Sequence, residues 1–541
     1  MIPGFFYYPS VISIIFLIFA QLFHLQLLAI ITLIMRKTIF LSLLAVSLHT
    51  TAQTYNHYTT TEGNEWQQSS QKLSGKAAAE PVLTITGTEQ GHEFRAWGTC
   101  FNELDLDALE LLKAEEQEEV MRRLFDPNGD LKFTRGRLTM NANDYSRSWY
   151  SCDTVSGDFA LKYFNIEHDK KNVIRLIKKA QKYQPQMTFW MSPWSPPAWM
   201  KINQDYPVMS SKWNKQQPEK DYLLFGGGKV DETEVMLAGQ QKGLFPKKLA
   251  TQDYFIQEPR YLQAYADMFC KFIDLYAAEN IPVDMVMYQN EAYSYTAYPG
   301  CAWTAEGTLR FNRDYLIPTL QNKHPEVDVN IGTLNTNRFT YVTKFIDGLY
   351  APLLHREGQG GEPLVKAIGL QWEGRQIIDS LRQRYPGMHF ISTESECGNG
   401  RMDWRAGEHT FHLLADYIGR GCDEYFIWNF ILCDNGSSPW GWKQNALIQV
   451  KSANLSHRYT AEFYAVKHFS NLVTPGSRMQ GYVPREQTKG IPVIVFQRPD
   501  QKYVVIAGNQ TNDEHTATVR LGKKFLNMTL QPHSFHTFIS K

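Results

Sequence analysis

Val286-Met287-Tyr288-Gln289-Asn290-Glu291, running into Ala292-Tyr293-Ser294-Tyr295, is the stretch on which the reading of this chain turns. Three of its first four residues are apolar or aromatic, as in a strand buried on both faces of a parallel sheet. The strand then delivers an amide and a carboxylate, Asn290 and Glu291, into an aromatic-rich loop. A (β/α)₈ barrel presents its chemistry in this way, from loops at the C-terminal ends of its strands. The plainer alternative, a surface loop acid, has to be weighed against the rest of the chain.

Outward from this stretch the pattern repeats as strand, loop, helix. Strands are expected at 133–140, 187–191, 283–289, 327–332, 367–372, 388–394 and 424–432. Helices are expected at 105–125, 171–183, 259–280, 312–323, 377–385 and 408–419. Such alternation implies a parallel sheet. Residues 203–256 read as a long insertion. After Pro439 the pattern changes to short alternating strands, with one helix at 461–471, which is the signature of a β-sandwich. Residues 53–80 are polar and rich in Thr, Gln and Ser, and read as a loose leader. Strands near 82–86 and 93–101 precede the barrel and are expected to add to the sandwich. The fold expected is α/β: a (β/α)₈ TIM barrel with a side β-sandwich domain built from both chain ends. The divisions are a leader at 1–52, N-terminal strands at 53–98, the barrel at 99–445 and the sandwich at 446–541.

A second glutamate, Glu394, also stands at a strand end, 394 − 291 = 103 residues further on. At roughly thirty residues per βα unit the gap is about three units, which places the two acids on strands 4 and 7. Across a closed ring those positions face each other. Glycosidic bond hydrolysis requires two carboxyl groups, one to protonate the leaving oxygen and one to attack the anomeric carbon or activate water. Glu396 shares a face with Glu394 on a continuing strand and is a rival nucleophile. Glu373, after Trp372, is a third strand-end acid. Arg137 reads as an ion-pair partner that orients a carboxylate and keeps it ionised.

Composition closes off other chemistries. Lys+Arg 55 balances Asp+Glu 55, so no charge excess points to nucleic acid. The seven cysteines include no C-x-x-C pair and suit neither a zinc ribbon nor a disulfide framework. The Gly226–Lys229 run lacks phosphate-loop spacing, and no H-E-x-x-H or G-x-S-x-G occurs. No metal site and no cofactor are expected. At the amino end, residues 1–35 carry no charged side chain, and residues 11–35 are apolar enough to span a bilayer. Read from Met35, Arg36-Lys37, the apolar run 38–48 and Thr50-Thr51-Ala52 form a secretory signal cut near Ala52. The expectation is a true start at Met35 and a secreted or periplasmic protein, with a membrane anchor at 11–35 as the rival.

The loop Ser192-Pro193-Trp194-Ser195-Pro196-Pro197-Ala198-Trp199-Met200-Lys201 resembles the Pro-Trp signature of glycoside hydrolase family 30, the family of lysosomal glucosylceramidase and microbial β-1,6-glucanases. Arg137–Met140 with Asp144-Tyr145-Ser146, Gln289-Asn290-Glu291, Ser392-Thr393-Glu394, Trp428-Asn429 and Ala461–Tyr464 resemble further family segments in the same order. The resemblance implies Glu291 as general acid/base and Glu394 as nucleophile of a retaining double displacement. It implies Arg137, Asp144, Trp194, Asn290, Trp372, Trp428 and Asn429 as substrate-binding residues, and a carbohydrate or glycolipid substrate. The linkage expected is β-glucosidic, glucosylceramidase-like or β-1,6-glucan. Xylan-, fucose- or galactose-type specificity, or a non-catalytic carbohydrate-binding relative, are the alternatives. Two departures stand out. Ala292 replaces a proline after the acid/base, and Gln371-Trp372-Glu373 stands where glucosylceramidase-like members have His-Trp-Tyr.

Overall fold

Eight strands, Ala96–Cys100, Arg135–Met140, Thr188–Pro193, Val283–Met287, Asp328–Leu334, Ala367–Leu370, His389–Ser392 and Cys422–Ile427, pair in parallel and close on themselves in the computed structural model. The structure describes residues 54–89, 91–228, 230, 247–350 and 363–541. The signal segment, the start at Met35 and the anchor at 11–35 lie outside those residues. Closure is made by the eighth strand against the first, with Glu424 opposite Ala96 and Phe426 opposite Gly98. Gly98 is required there: a Cβ would lie 2.3 Å from the Phe426 ring. Inside the barrel, Trp190, Met285, Met287, Ala367, Ile391 and Phe426 form a closed apolar plug. The barrel is therefore a packed core whose chemistry is confined to its ends. Amphipathic helices such as Val173–Tyr183 and Trp404–Gly419 bury their apolar faces against it.

Glu291 follows the fourth barrel strand and Glu394 the seventh, the positions that the spacing predicted. The β-sandwich is built from both chain ends. Its larger sheet runs Arg478–Val483, Val493–Gln497, Tyr503–Asn509, Ser534–Ser540, Thr54–Thr61, Asn64–Lys72. Its smaller sheet runs Lys524–Leu530, His515–Leu521, Pro81–Ile85. Tyr55, Ile85, Val505, Val519, Leu526 and Phe538 fill the space between them.

Three expectations are corrected and one element is added. The polar stretch after residue 53 is no loose leader but a hairpin, Thr54–Thr61 with Asn64–Lys72, docked on the last strand of the chain. Ala96–Cys100 belongs to the barrel, so a division at 98/99 cuts its first strand. The helix expected at 105–125 is two, Glu103–Glu110 and Ala114–Phe125, because Leu112 turns inward between them and is buried. A helix at Phe339–Tyr350, unread in the sequence, covers the step between the fifth and sixth strands. All seven cysteines are unpaired. Among the described residues no helix is long and apolar enough to cross a membrane.

Candidate active site

Arg137 leaves the second barrel strand into the mouth of the barrel and is fully buried. Its guanidinium ties together the ends of three other strands, the third, fourth and seventh. It donates to Glu394 Oε2 at 2.8 Å, to Asn290 Oδ1 at 2.8 Å, to the Ser192 hydroxyl at 3.1 Å and to the Thr393 carbonyl at 3.2 Å. Its flat face lies 4.4 Å from the Trp194 ring centroid and 5.6 Å from that of Trp428. Trp194 and Trp428 themselves stack at 4.9 Å. A planar cation held by indole faces and aimed at a carboxylate is rigid and always charged.

Gln371 completes the frame from the end of the sixth strand. Its amide nitrogen donates to Glu394 Oε2 at 3.2 Å and to Asn290 Oδ1 at 3.3 Å. Asn290 Oδ1 also accepts from the Thr333 hydroxyl at 2.9 Å. Three donors converge on that oxygen, so the orientation of the Asn290 amide is determined by its partners.

Glu291 is held differently. Its backbone sits in the left-handed region, φ +47°, which a non-glycine residue adopts only at a cost. Its Oε2 accepts from the Ser294 hydroxyl at 3.0 Å and the Tyr298 hydroxyl at 3.3 Å. Ser294 is in turn held by the Asn335 amide. Burial and then the nearby Glu394 charge push the Glu291 carboxyl well above the ordinary carboxylate range. Burial also raises Glu394, but Arg137 opposes the rise directly. One proton is therefore shared unequally by the pair, and Glu291 is its natural holder. A third carboxyl belongs to this group: Asp144, buried and raised to about 7, chiefly by desolvation. One of its oxygens has no partner, and the other accepts from Gln444 at 3.5 Å.

The arrangement can hold one carboxylate ionised beside one protonated carboxyl, which is the pairing that acid-assisted displacement at a glycosidic carbon needs. Two further observations place the chain. Residues 94–221 match the glycosyl hydrolase family 30 TIM-barrel domain, and residues 482–538 match the family 30 beta sandwich domain. Both matched segments, one in the barrel and one in the sandwich, are thus similar to domains of glycoside hydrolase family 30. It is similar to putative glucosylceramidase 3 of Caenorhabditis elegans, 24% identical over 87% of this chain and 84% of that protein. In structure it is similar to SrfJ from Salmonella typhimurium, with a TM-score of 0.72 at 18% identity over 90% of this chain and 99% of the other. It is likewise similar to the endo-beta1,6-glucanase BT3312, with a TM-score of 0.68 at 18% identity over the same shares.

Each expected site residue has a place in this geometry. Glu291, Glu394, Arg137, Asn290, Asp144, Trp194 and Trp428 come together as described. Asn429 lies one step out, donating to Gln444 Oε1 at 2.6 Å and accepting from Asn102 at 3.1 Å. It braces the residue that reaches Asp144. Trp372 is half-buried with φ +44°, and its neighbour Gln371 reaches Glu394 from the same strand end. Glu396, the rival nucleophile, is engaged elsewhere. It pairs with His409 at 2.8 Å, and its carboxyl is held below the ordinary range despite burial. The acid that crowds the pair is Asp144, on the second strand's loop, rather than Glu373. Sequence reasoning missed Ser294, Tyr298 and Thr333. The first two lie in the aromatic loop after Glu291, and their distance of three and seven residues from it was the available signal.

Proposed function

We propose that the protein is a retaining β-glucosidase-type hydrolase in which Glu291 is the general acid/base and Glu394 the nucleophile. Its bonds would be β-glucosidic, of the kind found in glucosylceramide or β-1,6-glucan. The observation that carries the roles is the asymmetry of the pair. Glu394 Oε2 bears a guanidinium, whereas Glu291 Oε2 accepts only from hydroxyls. The proton of Glu291 therefore belongs on Oε1, and the attacking oxygen of Glu394 is its Oε1.

In the first step Glu394 Oε1 bonds to the anomeric carbon. The bond to the leaving oxygen breaks, and that oxygen keeps the electron pair and takes the Glu291 proton. In the second step water attacks the same carbon, gives its proton to Glu291, and releases Glu394 with retained configuration. Asn290, with Oδ1 occupied, turns its amide nitrogen toward a substrate hydroxyl, and Asp144 supplies an acceptor for another. The names of the relatives support glucose over other sugars at the reacting position. The basic and apolar residues at 36–52 support export before action; an amino terminus sequenced from secreted protein should begin just after Ala52.

Glu291→Ala and Glu394→Gln should each lower kcat on an aryl β-glucoside by about 10²–10⁴-fold or more. Added azide should restore turnover to Glu291→Ala and give a β-glucosyl azide, since the nucleophile is intact. A wild-type enzyme inert on aryl β-glucosides, gentio-oligosaccharides and glucosylceramide alike would sink the reading.

A further inference from the structure

Beyond the carboxylates, the loop after the eighth strand holds a feature that the chemistry above does not use. Ser438-Pro439-Trp440-Gly441-Trp442 forms a tight hairpin, with the Ser438 N–H donating to the Trp442 carbonyl at 2.8 Å and Ser437 bridged to Lys443. Trp440 packs on Tyr298 at 4.6 Å, and Tyr298 is the residue that donates to Glu291. Gln444 reaches Asp144. Trp442 stacks on Trp440 at 5.1 Å and 24°. Trp442 is thus stacked on a ring that touches Tyr298, the Glu291 donor, and is itself only half-buried.

A second ring arrives from the insertion after the third strand. Trp213 lies over Gly441, where a Cβ would come within 2.1 Å of the indole. Gly441 has φ +86°, so glycine serves there both for the turn and for the ring's approach. Trp213 is 44% exposed, one of few large apolar side chains left so open among the described residues. Lys212 covers one of its faces at 4.8 Å.

We propose that Trp442 and Trp213 form a platform for the leaving-group side of the substrate, and that its occupant is a further sugar unit of a β-glucan chain. This rests on the function proposed above and names its substrate class. The path from the platform runs through Trp440 and Tyr298 to Glu291, the residue that protonates the leaving oxygen, so what lies along it meets the aglycone. Flat indole faces suit the C–H faces of pyranose rings. The lysines at its edge, Lys212 and Lys443, suit a hydroxylated ligand. The acyl chains of a ceramide would call instead for a flexible aliphatic groove.

The test compares kcat/KM on gentiotetraose with that on β-glucosyl fluoride, which has no aglycone to stack. For Trp442→Ala, and less strongly Trp213→Ala, the loss on gentiotetraose should exceed the loss on the fluoride by about ten-fold. Trp442→Phe should recover most of the difference. Equal losses on both substrates would overturn the platform. So would an unchanged gentiotetraose rate accompanied by a loss on glucosylceramide, which would assign the patch to lipid. If the wild type turns over no β-glucoside, the glucosidase reading has failed, and the platform is judged by binding. Quenching of tryptophan fluorescence by β-1,6-glucan, lost in Trp442→Ala, sustains it; no quenching overturns it.

Discussion

Arg135 and Arg137 stand two residues apart on the second barrel strand, and they serve opposite ends of the barrel. Arg135, at the N-terminal end, is gripped by both oxygens of Glu424 at 2.7 and 2.8 Å and by Asp284. Around it lie further matched pairs, Lys366 with Asp328 and His389 with Asp423. Arg137, at the C-terminal end, directly contacts one carboxylate, yet it lies within the field of three. Where each cation has its anions, the charges are settled and the result is a brace. Where one cation must serve several buried carboxyls, at least one of them has to keep its proton. That deficit of positive charge, more than any single contact, separates the reactive end from the inert one.

The largest test of the contrast is Arg137→Met. It should lower kcat/KM on an aryl β-glucoside by ~10²–10³-fold, the scale of losing a preorganised charged donor. The acidic limb of the pH profile should also move upward, because the guanidinium no longer holds Glu394 ionised. A profile that loses height without shifting would show that Arg137 only packs. Arg135→Met should do the reverse. Unfolding measured in urea should show a loss of about 3–5 kcal/mol, the cost of leaving Glu424 buried and unpaired. The kcat/KM of the folded fraction should stay near the wild-type value; a large catalytic loss would erase the distinction between the two ends. The smallest effect is expected from Ser294→Ala. The Ser294 hydroxyl favours the ionised form of Glu291, so removing it raises the Glu291 pKa further. The basic limb of kcat/KM, where Glu291 loses its proton, should move to higher pH by roughly 0.7 unit for a hydrogen bond worth about 1 kcal/mol. A shift to lower pH would contradict the assignment of Glu291 as the acid.

The reactive end was largely readable in the sequence because its parts obey local rules. Glu291 and Glu394 each follow an apolar run, and their separation counts barrel units. Arg137 could be paired with a carboxylate in principle, but nothing local says which one. Gln371 was visible only as a departure. Its bridging of Glu394 and Asn290 depends on three strand ends meeting, and a linear pattern does not record that. The hairpin at Thr54–Lys72 was hidden for another physical reason. Its second strand, Asn64–Lys72, lies at the rim of a sheet and is largely exposed, so it carries polar residues where a buried strand would alternate. Only Tyr55 and Thr60 of the first strand are fully buried, too few to mark a period.

That hairpin bears on how the molecule is made. Thr54–Thr61 leaves the ribosome hundreds of residues ahead of its partner Ser534–Ser540. Until then the hairpin has an open edge and no sheet to join. The barrel between can close first, but the sandwich stays unfinished until Ser534–Ser540 has been made, and its closure joins strands on either side of the barrel in sequence, the kind of distant pairing that forms slowly. Ser534–Ser540 thus acts as a clasp: a chain stopped before it would leave two sheet edges bare at once.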